Sequence, residues 1–163
     1  MRFVIRALGD YTSELVRRVQ PGMQAEIHAP YGRFTRHPGA AREIWIAGGV
    51  GITPFLAWLT DPEAQGLERA TLFYFFTPGR EFPAAQELDR LARARGAEFV
   101  AIPKGPDAQE FSQELERIVA EAGPQAVQVN FCGPEGLLEV VRKRLGKLGV
   151  PASALHYEHF DFR

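Results

Sequence analysis

From Glu43 onward, short apolar runs alternate with amphipathic segments, and this alternation constrains the fold more than any other feature. Glu43–Ala47, Ala70–Phe76, Glu98–Ile102, Ala126–Cys132 and Ala154–His159 read as strands. Ala70–Phe76 is almost wholly apolar and aromatic, the pattern of a strand covered on both faces. Helices are expected at about Pro54–Leu59, Pro83–Arg95 and Ala108–Ala122, and from Pro134 to Gly149. Phe111, Leu115, Ile118 and Val119 form one helical stripe, and Gly96 and Gly123-Pro124 stop two of the helices. Five strands alternating with four helices predict an α/β fold: a five-stranded, parallel, doubly wound, Rossmann-like sheet. Ligands of such sheets bind beyond the carboxyl ends of the strands, near the point where strand order reverses.

The turn after the first strand is Gly48-Gly49-Val50-Gly51-Ile52-Thr53-Pro54. Strand, glycines and helix start, in that order, make a cradle for phosphate. The first N–H groups of a helix lack intrahelical partners and carry partial positive charge, and glycines let a ligand approach the backbone. Thr53 suits the N-cap and Pro54 the first helical position. The spacing Gly49-x-Gly51-x-x-Pro54 departs from the dinucleotide fingerprint, which ends in Gly or Ala. The structural alternative is a tight turn that only packs strand against helix. No Lys-Ser or Lys-Thr follows the glycines, which excludes a Walker-type loop.

The net charge is −1 and the arginines are scattered, so no charge pattern points to nucleic acid or an anionic membrane surface. The apolar runs are too short to span a bilayer and no signal peptide opens the sequence. Cys132 is the only cysteine, so an internal disulfide and a cysteine-ligated zinc or iron–sulfur site are excluded. A reducing, cytoplasmic setting is expected. His156-x-x-His159 lies on an expected strand, where residues three apart point to opposite faces, so no metal site is expected there.

The segment from Met1 to Phe34 differs from the rest. Phe3–Leu8 and Met23–His28 read as strands, Ser13–Val19 as a short helix with Asp10 or Thr12 as its cap, and Pro30-Tyr31-Gly32 as a turn. Two strands and one small helix cannot bury a core of their own. The segment is either an appendage to the α/β part of the chain or the tail of a domain whose front lies upstream.

Taken together, four motifs resemble the ferredoxin–NADP reductase superfamily over essentially the whole chain. Gly9-Asp10-Tyr11-Thr12 resembles the family's Gly-x-x-Ser/Thr turn on the FAD pyrophosphate. Pro30-Tyr31-Gly32-Arg33-Phe34 resembles the Gly-Pro-Tyr-Gly-x-Phe segment leaving the flavin domain, with Ala29 in place of its first glycine. Gly48–Pro54 resembles the nicotinamide nucleotide turn, and Cys132-Gly133-Pro134 the family's Cys-Gly-Pro. The ending Glu158-x-Phe160 is similar to an acidic residue followed by an aromatic that covers the flavin, in a form nearest the reductase part of bacterial ferric-reductase-like membrane flavocytochromes. The family's main flavin motif, Arg-x-Tyr/Phe-Ser/Thr, would lie upstream of Met1.

The resemblance implies two parts: residues 1–38 as the C-terminal remnant of an antiparallel FAD-binding barrel, and residues 39–163 as an NAD(P)-binding domain. It implies a flavin-dependent oxidoreductase that passes hydride from NAD(P)H to FAD and electrons to an acceptor, either a haem membrane domain, a ferric chelate or a ferredoxin-like protein. Gly48, Gly49, Val50, Gly51, Ile52, Thr53 and Pro54 would hold the NAD(P)H pyrophosphate, and Gly9 and Thr12 that of FAD. Thr53 would orient the nicotinamide carboxamide. Cys132, with Gly133 and Pro134, would lie beside the nicotinamide as a shape element rather than a nucleophile; alone it would read as a buried small hydrophobe. Glu158 would tune charge near the flavin and Phe160 would stack on it, against the alternatives of a surface carboxylate and ordinary packing. Thr77 and Arg80 follow the second strand, where adenosine ribose binds. A hydroxyl and a guanidinium there suit a 2′-phosphate and favour NADPH over NADH, although Glu81 adds an opposing charge. The alternative from another class is a nucleotide-binding regulatory module without turnover.

Overall fold

The computed structural model describes residues 4, 5, 7, 9–28, 32–103, 105 and 107–160, the last two of them by backbone alone. These divide into two compact units, Met1–Arg33 and Phe34–Arg163.

In the second unit the apolar runs form β1 (Arg42–Gly48), β2 (Ala70–Phe75), β3 (Glu98–Ile102), β4 (Val127–Pro134) and β5 (Leu155–Phe160). All neighbours pair in parallel, in the order β3-β2-β1-β4-β5. The connecting helices are α2 (Thr53–Thr60), α3 (Ala85–Ala94), α4 (Gln109–Ala122) and α5 (Glu135–Lys147); α1 lies in the first unit. The order runs one way from β1 through β3 and the other way from β4 to β5, so the switch point falls between β1 and β4.

Two cores follow from strand alternation, since successive side chains point to opposite faces. Ile44, Ile46, Phe73, Val129 and Phe131 pack against Phe111, Leu115 and Ile118 of α4 and Leu138 and Val141 of α5. Trp45, Ala47, Leu72, Tyr74 and Cys132 pack on the other face against Phe55 and Leu59 of α2 and Leu88 and Ala92 of α3. Every residue of β2 is buried, as its composition requires.

A buried ion pair closes the amino end of β1. Glu43 is fully buried and takes two 2.8 Å hydrogen bonds from Arg36 and one of 3.1 Å from the Trp45 indole. Arg36 also donates to the carbonyls of Gln65 and Gly66. Phe34 stacks on Trp58 at 5.4 Å, so residues 34–36 are anchored to this unit.

The first unit differs from expectation. Its described residues carry one helix, α1 (Asp10–Arg18), capped by Gly9 at φ 86° with no side-chain cap. The helix begins earlier than Ser13, and neither Asp10 nor Thr12 is its cap. Met23–His28 has no regular structure, and neither do Val4, Ile5 and Ala7; the remainder of the Phe3–Leu8 expectation lies outside the described residues. A strand needs a neighbour to complete its backbone hydrogen bonds, and none occurs among the described residues of this unit.

Candidate functional site

The glycine turn forms at the switch point. Gly49–Ile52 make a 3₁₀ turn that runs directly into α2. Ile52 already has helical dihedrals, so Thr53 is a helical residue rather than the N-cap. Its hydroxyl donates to the Val50 carbonyl at 3.1 Å, and Pro54 fills the first turn, where no N–H is required.

Each glycine of the turn has its own reason. A Cβ on Gly51 would lie 2.1 Å from the Cys132 carbonyl oxygen, and one on Gly48 would lie 2.6 Å from Pro134 Cδ. From the other side, a Cβ on Gly133 would lie 3.1 Å from the Gly48 Cα. These three glycines therefore let the end of β4 press against the turn, backbone to backbone. Gly49 is different: it is exposed, its φ is +55°, and a Cβ there would meet nothing within 4 Å. It leaves an open approach at the lip of the cradle, beside the first turn of α2. The open lip and the helix start suit a pyrophosphate.

Cys132 is fully buried among the side chains of the α2–α3 face. Burial, and then the Glu158 charge, push its thiol up to about 12, so it is protonated and no nucleophile. The β4–β5 register sets Glu158 opposite Cys132 and Phe160 opposite Pro134. Glu158 is exposed, and the Phe160 side chain lies outside the described residues.

Beyond β2, Thr77-Pro78-Gly79-Arg80 closes as a β-turn, with the Arg80 N–H donating to the Thr77 carbonyl at 2.9 Å. Gly79 at φ 79° follows Pro78, as a type II turn requires. Thr77 and Arg80 are both exposed. The turn brings Glu81 and Phe82 back toward the sheet, where the Phe82 N–H donates to the Tyr74 hydroxyl at 3.2 Å. Burial raises the Tyr74 pKa, the Phe82 backbone bond opposes this, and the Glu81 charge adds to the rise. One carboxylate oxygen of Glu81, Oε2, is buried and accepts no hydrogen bond.

Gly48–Pro54 and Cys132–Pro134 are thus brought together. Thr77 and Arg80 lie beyond the next strand along the same edge of the sheet. Gly9 and Thr12 meet at the start of α1 in the first unit, the Thr12 hydroxyl donating to the Gly9 carbonyl at 3.5 Å.

No family model matches the chain. It is 33% identical to ferredoxin–NADP reductase B of Sorangium cellulosum, over 97% of this chain and 70% of that protein. The chain belongs to the ferredoxin–NADP reductase family. Another relative is the carnitine monooxygenase reductase subunit of Escherichia coli, 32% identical over 90% of this chain and 43% of that protein. Thus the chain spans less than half of this reductase subunit. Among solved structures, the flavohem-like FAD/NAD-binding domain of nitric oxide dioxygenase from Vibrio cholerae superposes with a TM-score of 0.73 and 26% identity. That match covers 93% of this chain and 65% of the neighbour. Members of this reductase family bind FAD and NAD(P)H. Among the described residues, no helix is long and apolar enough to cross a membrane.

Sequence reasoning treated Glu81 only as a charge opposing Arg80. Its signal was position, a carboxylate soon after the second strand, but sequence does not tell which of two neighbouring side chains folds inward.

Proposed function

We propose that this chain is the NAD(P)H-binding part of a flavin-dependent oxidoreductase, one that passes hydride from NAD(P)H to FAD and electrons on to a haem, ferric or protein acceptor. The observation that carries the reading is the interlock of Gly51 with the Cys132 carbonyl, which joins the open lip at Gly49 to the end of β4 at the switch point. The family membership supports it.

Bound nicotinamide and flavin supply the hydride and electron chemistry themselves. The chain's residues bind and orient. Gly49, Val50 and the first turn of α2 receive the pyrophosphate through backbone N–H groups. The Thr53 hydroxyl gives its proton to the Val50 carbonyl, which leaves its oxygen as an acceptor for the nicotinamide carboxamide. Cys132 forms a neutral, close-packed floor beneath the end of β4, which keeps a thiolate away from the reacting carbon. Glu158 contributes an exposed negative charge beside that floor, and Phe160 covers the flavin face. Residues 1–38, with Gly9 and Thr12 on the flavin pyrophosphate, form the end of an FAD-binding barrel; residues 39–163 form the nucleotide domain. The acceptor is a haem membrane domain or a ferredoxin-like protein, reached from the cytoplasmic side.

The test joins the chain to a flavin-binding segment that carries the Arg-x-Tyr/Phe-Ser/Thr motif, adds FAD, and mixes the loaded protein with NADH or NADPH in an anaerobic stopped-flow experiment. Bleaching of the flavin absorbance is expected with at least one nucleotide. No bleaching with either overturns the reading.

A further inference from the structure

We propose that the outer edge of β3 pairs antiparallel with β3 of a second copy of this chain, in a register centred on Val100.

β3 lies at one end of the sheet and is bonded on one side only, to β2. The Phe76 N–H donates to the Ile102 carbonyl at 3.2 Å, so Ile102 turns its backbone groups inward, and by alternation so do Val100 and Glu98. Phe99 and Ala101 turn theirs outward, where no backbone group of the described residues meets them. Natural edge strands are blunted by lysine, proline or a bulge. Phe99–Ile102 has none of these: its pairing with β2 is unbroken and its residues are all apolar. β5, at the opposite end of the sheet, carries Glu158 and two histidines and is guarded by them.

Two boundaries fix the register. The Ala97 N–H already donates to the Ala92 carbonyl at 2.9 Å, and Pro103 has no N–H. A two-fold axis at Phe99 would therefore waste a bond on Ala97, and one at Ala101 would set Phe99 against Pro103. With the axis at Val100, Phe99 of each copy opposes Ala101 of the other, and each such pair exchanges both of its N–H···O bonds. The side chains match in this register. Phe99 is half-buried at the rim of the α2–α3 core and Ala101 is exposed, so a large ring covers a small neighbour in the other copy. Val100 meets itself at the closely spaced position, which suits a β-branched pair.

The flanks favour a second copy over an unrelated strand. A groove of about 530 Å³ along the amino half of β3 is lined by Glu98, Phe99 and Val100, with Arg93 of α3 and Glu114 and Arg117 of α4. Along α3, Glu87 and Asp89 precede Arg90 and Arg93. The two-fold sets the two α3 helices antiparallel, the acidic half of one toward the basic half of the other. One strand and its flanks make a small interface, of the weak, reversible class. Strand direction reverses across the axis, so the glycine turns after β1 lie at opposite ends of the joined sheet and stay open.

Sedimentation velocity of the full chain, from micromolar to submillimolar concentration, tests the pairing. The mass should rise from the 18.2 kDa of one chain toward twice that value. Ala101→Lys places a cation where the other copy's Phe99 lies and should raise the dissociation constant by about tenfold or more, with folding checked by circular dichroism. Val100→Cys brings two thiols together on the axis, and mild oxidation should crosslink them. Ala101→Cys leaves its Cα atoms about 8 Å apart, beyond the reach of a disulfide. Cys132 is fully buried and does not compete. A wild-type chain that stays monomeric throughout overturns the inference, whatever the variants do. So does a dimer that a folded Ala101→Lys variant leaves intact, or one that crosslinks as fast through Ala101→Cys as through Val100→Cys.

Discussion

Cys132 on β4 and Glu158 on β5 are register partners, a buried thiol beside an exposed carboxylate. Burial and the neighbouring charge together favour the neutral thiol, pushing it up to about 12. In the unfolded chain a thiol titrates near about 8.5. Below that pH both states hold the proton and the contribution to stability is complete. As pH rises from about 8.5 toward 12 the unfolded state releases its proton while the native state keeps it, so stability falls by up to about 1.4 kcal/mol per pH unit. Urea denaturation of wild type and Cys132→Ala between these limits should show the slope in the first and a flatter profile in the second. Parallel profiles would remove the thiol as the cause.

Cys132→Ser should lower the rate of hydride transfer in the FAD-loaded protein while leaving the fold intact. The hydroxyl is smaller and more polar in an apolar, fully buried site, so a stability loss of about 1–2 kcal/mol accompanies it. Transient kinetics that show an unchanged transfer rate would take Cys132 out of the site.

Gly51 and Gly49 should respond differently to the same substitution. Gly51→Ala drives a methyl group into the Cys132 carbonyl oxygen 2.1 Å away, and the backbone must shift. A loss on the order of 3 kcal/mol is expected in denaturation. Gly49→Ala meets no neighbour and costs only the left-handed conformation, about 1 kcal/mol. Its larger effect should be on nucleotide affinity, read by fluorescence titration, because the methyl group projects from the open lip.

Arg36→Met leaves the fully buried carboxylate of Glu43 without its bidentate partner. Removing one member of a buried pair typically costs about 3–5 kcal/mol. The double variant Arg36→Met, Glu43→Gln should recover part of that loss, since the stranded charge is gone. Additive losses in urea denaturation would show that the pair does not act as a unit.

Residue order was enough to specify the sheet. Strands over Ala70–Phe75 and Glu98–Ile102 and the helical stripe of Phe111, Leu115, Ile118 and Val119 were legible because apolar periodicity is a local property and burial on both faces leaves few polar positions. The glycine turn and Cys132-Gly133-Pro134 were legible as short contiguous motifs, and through them so was the family. Met23–His28 misled, because its alternation matches a strand but a strand forms only where a neighbour supplies hydrogen bonds. Thr53 misled as a cap, because whether the chain enters α2 through a non-helical residue or through a 3₁₀ turn depends on how Gly51 packs against Cys132. Which glycines serve the packing and which face outward was settled by the folded chain. The fold also distinguished Arg80 from Glu81: adjacent in sequence, the cation stays in solvent while a carboxylate oxygen is buried without a donor. Such distinctions depend on contacts between segments far apart in the chain, and no local pattern encodes them.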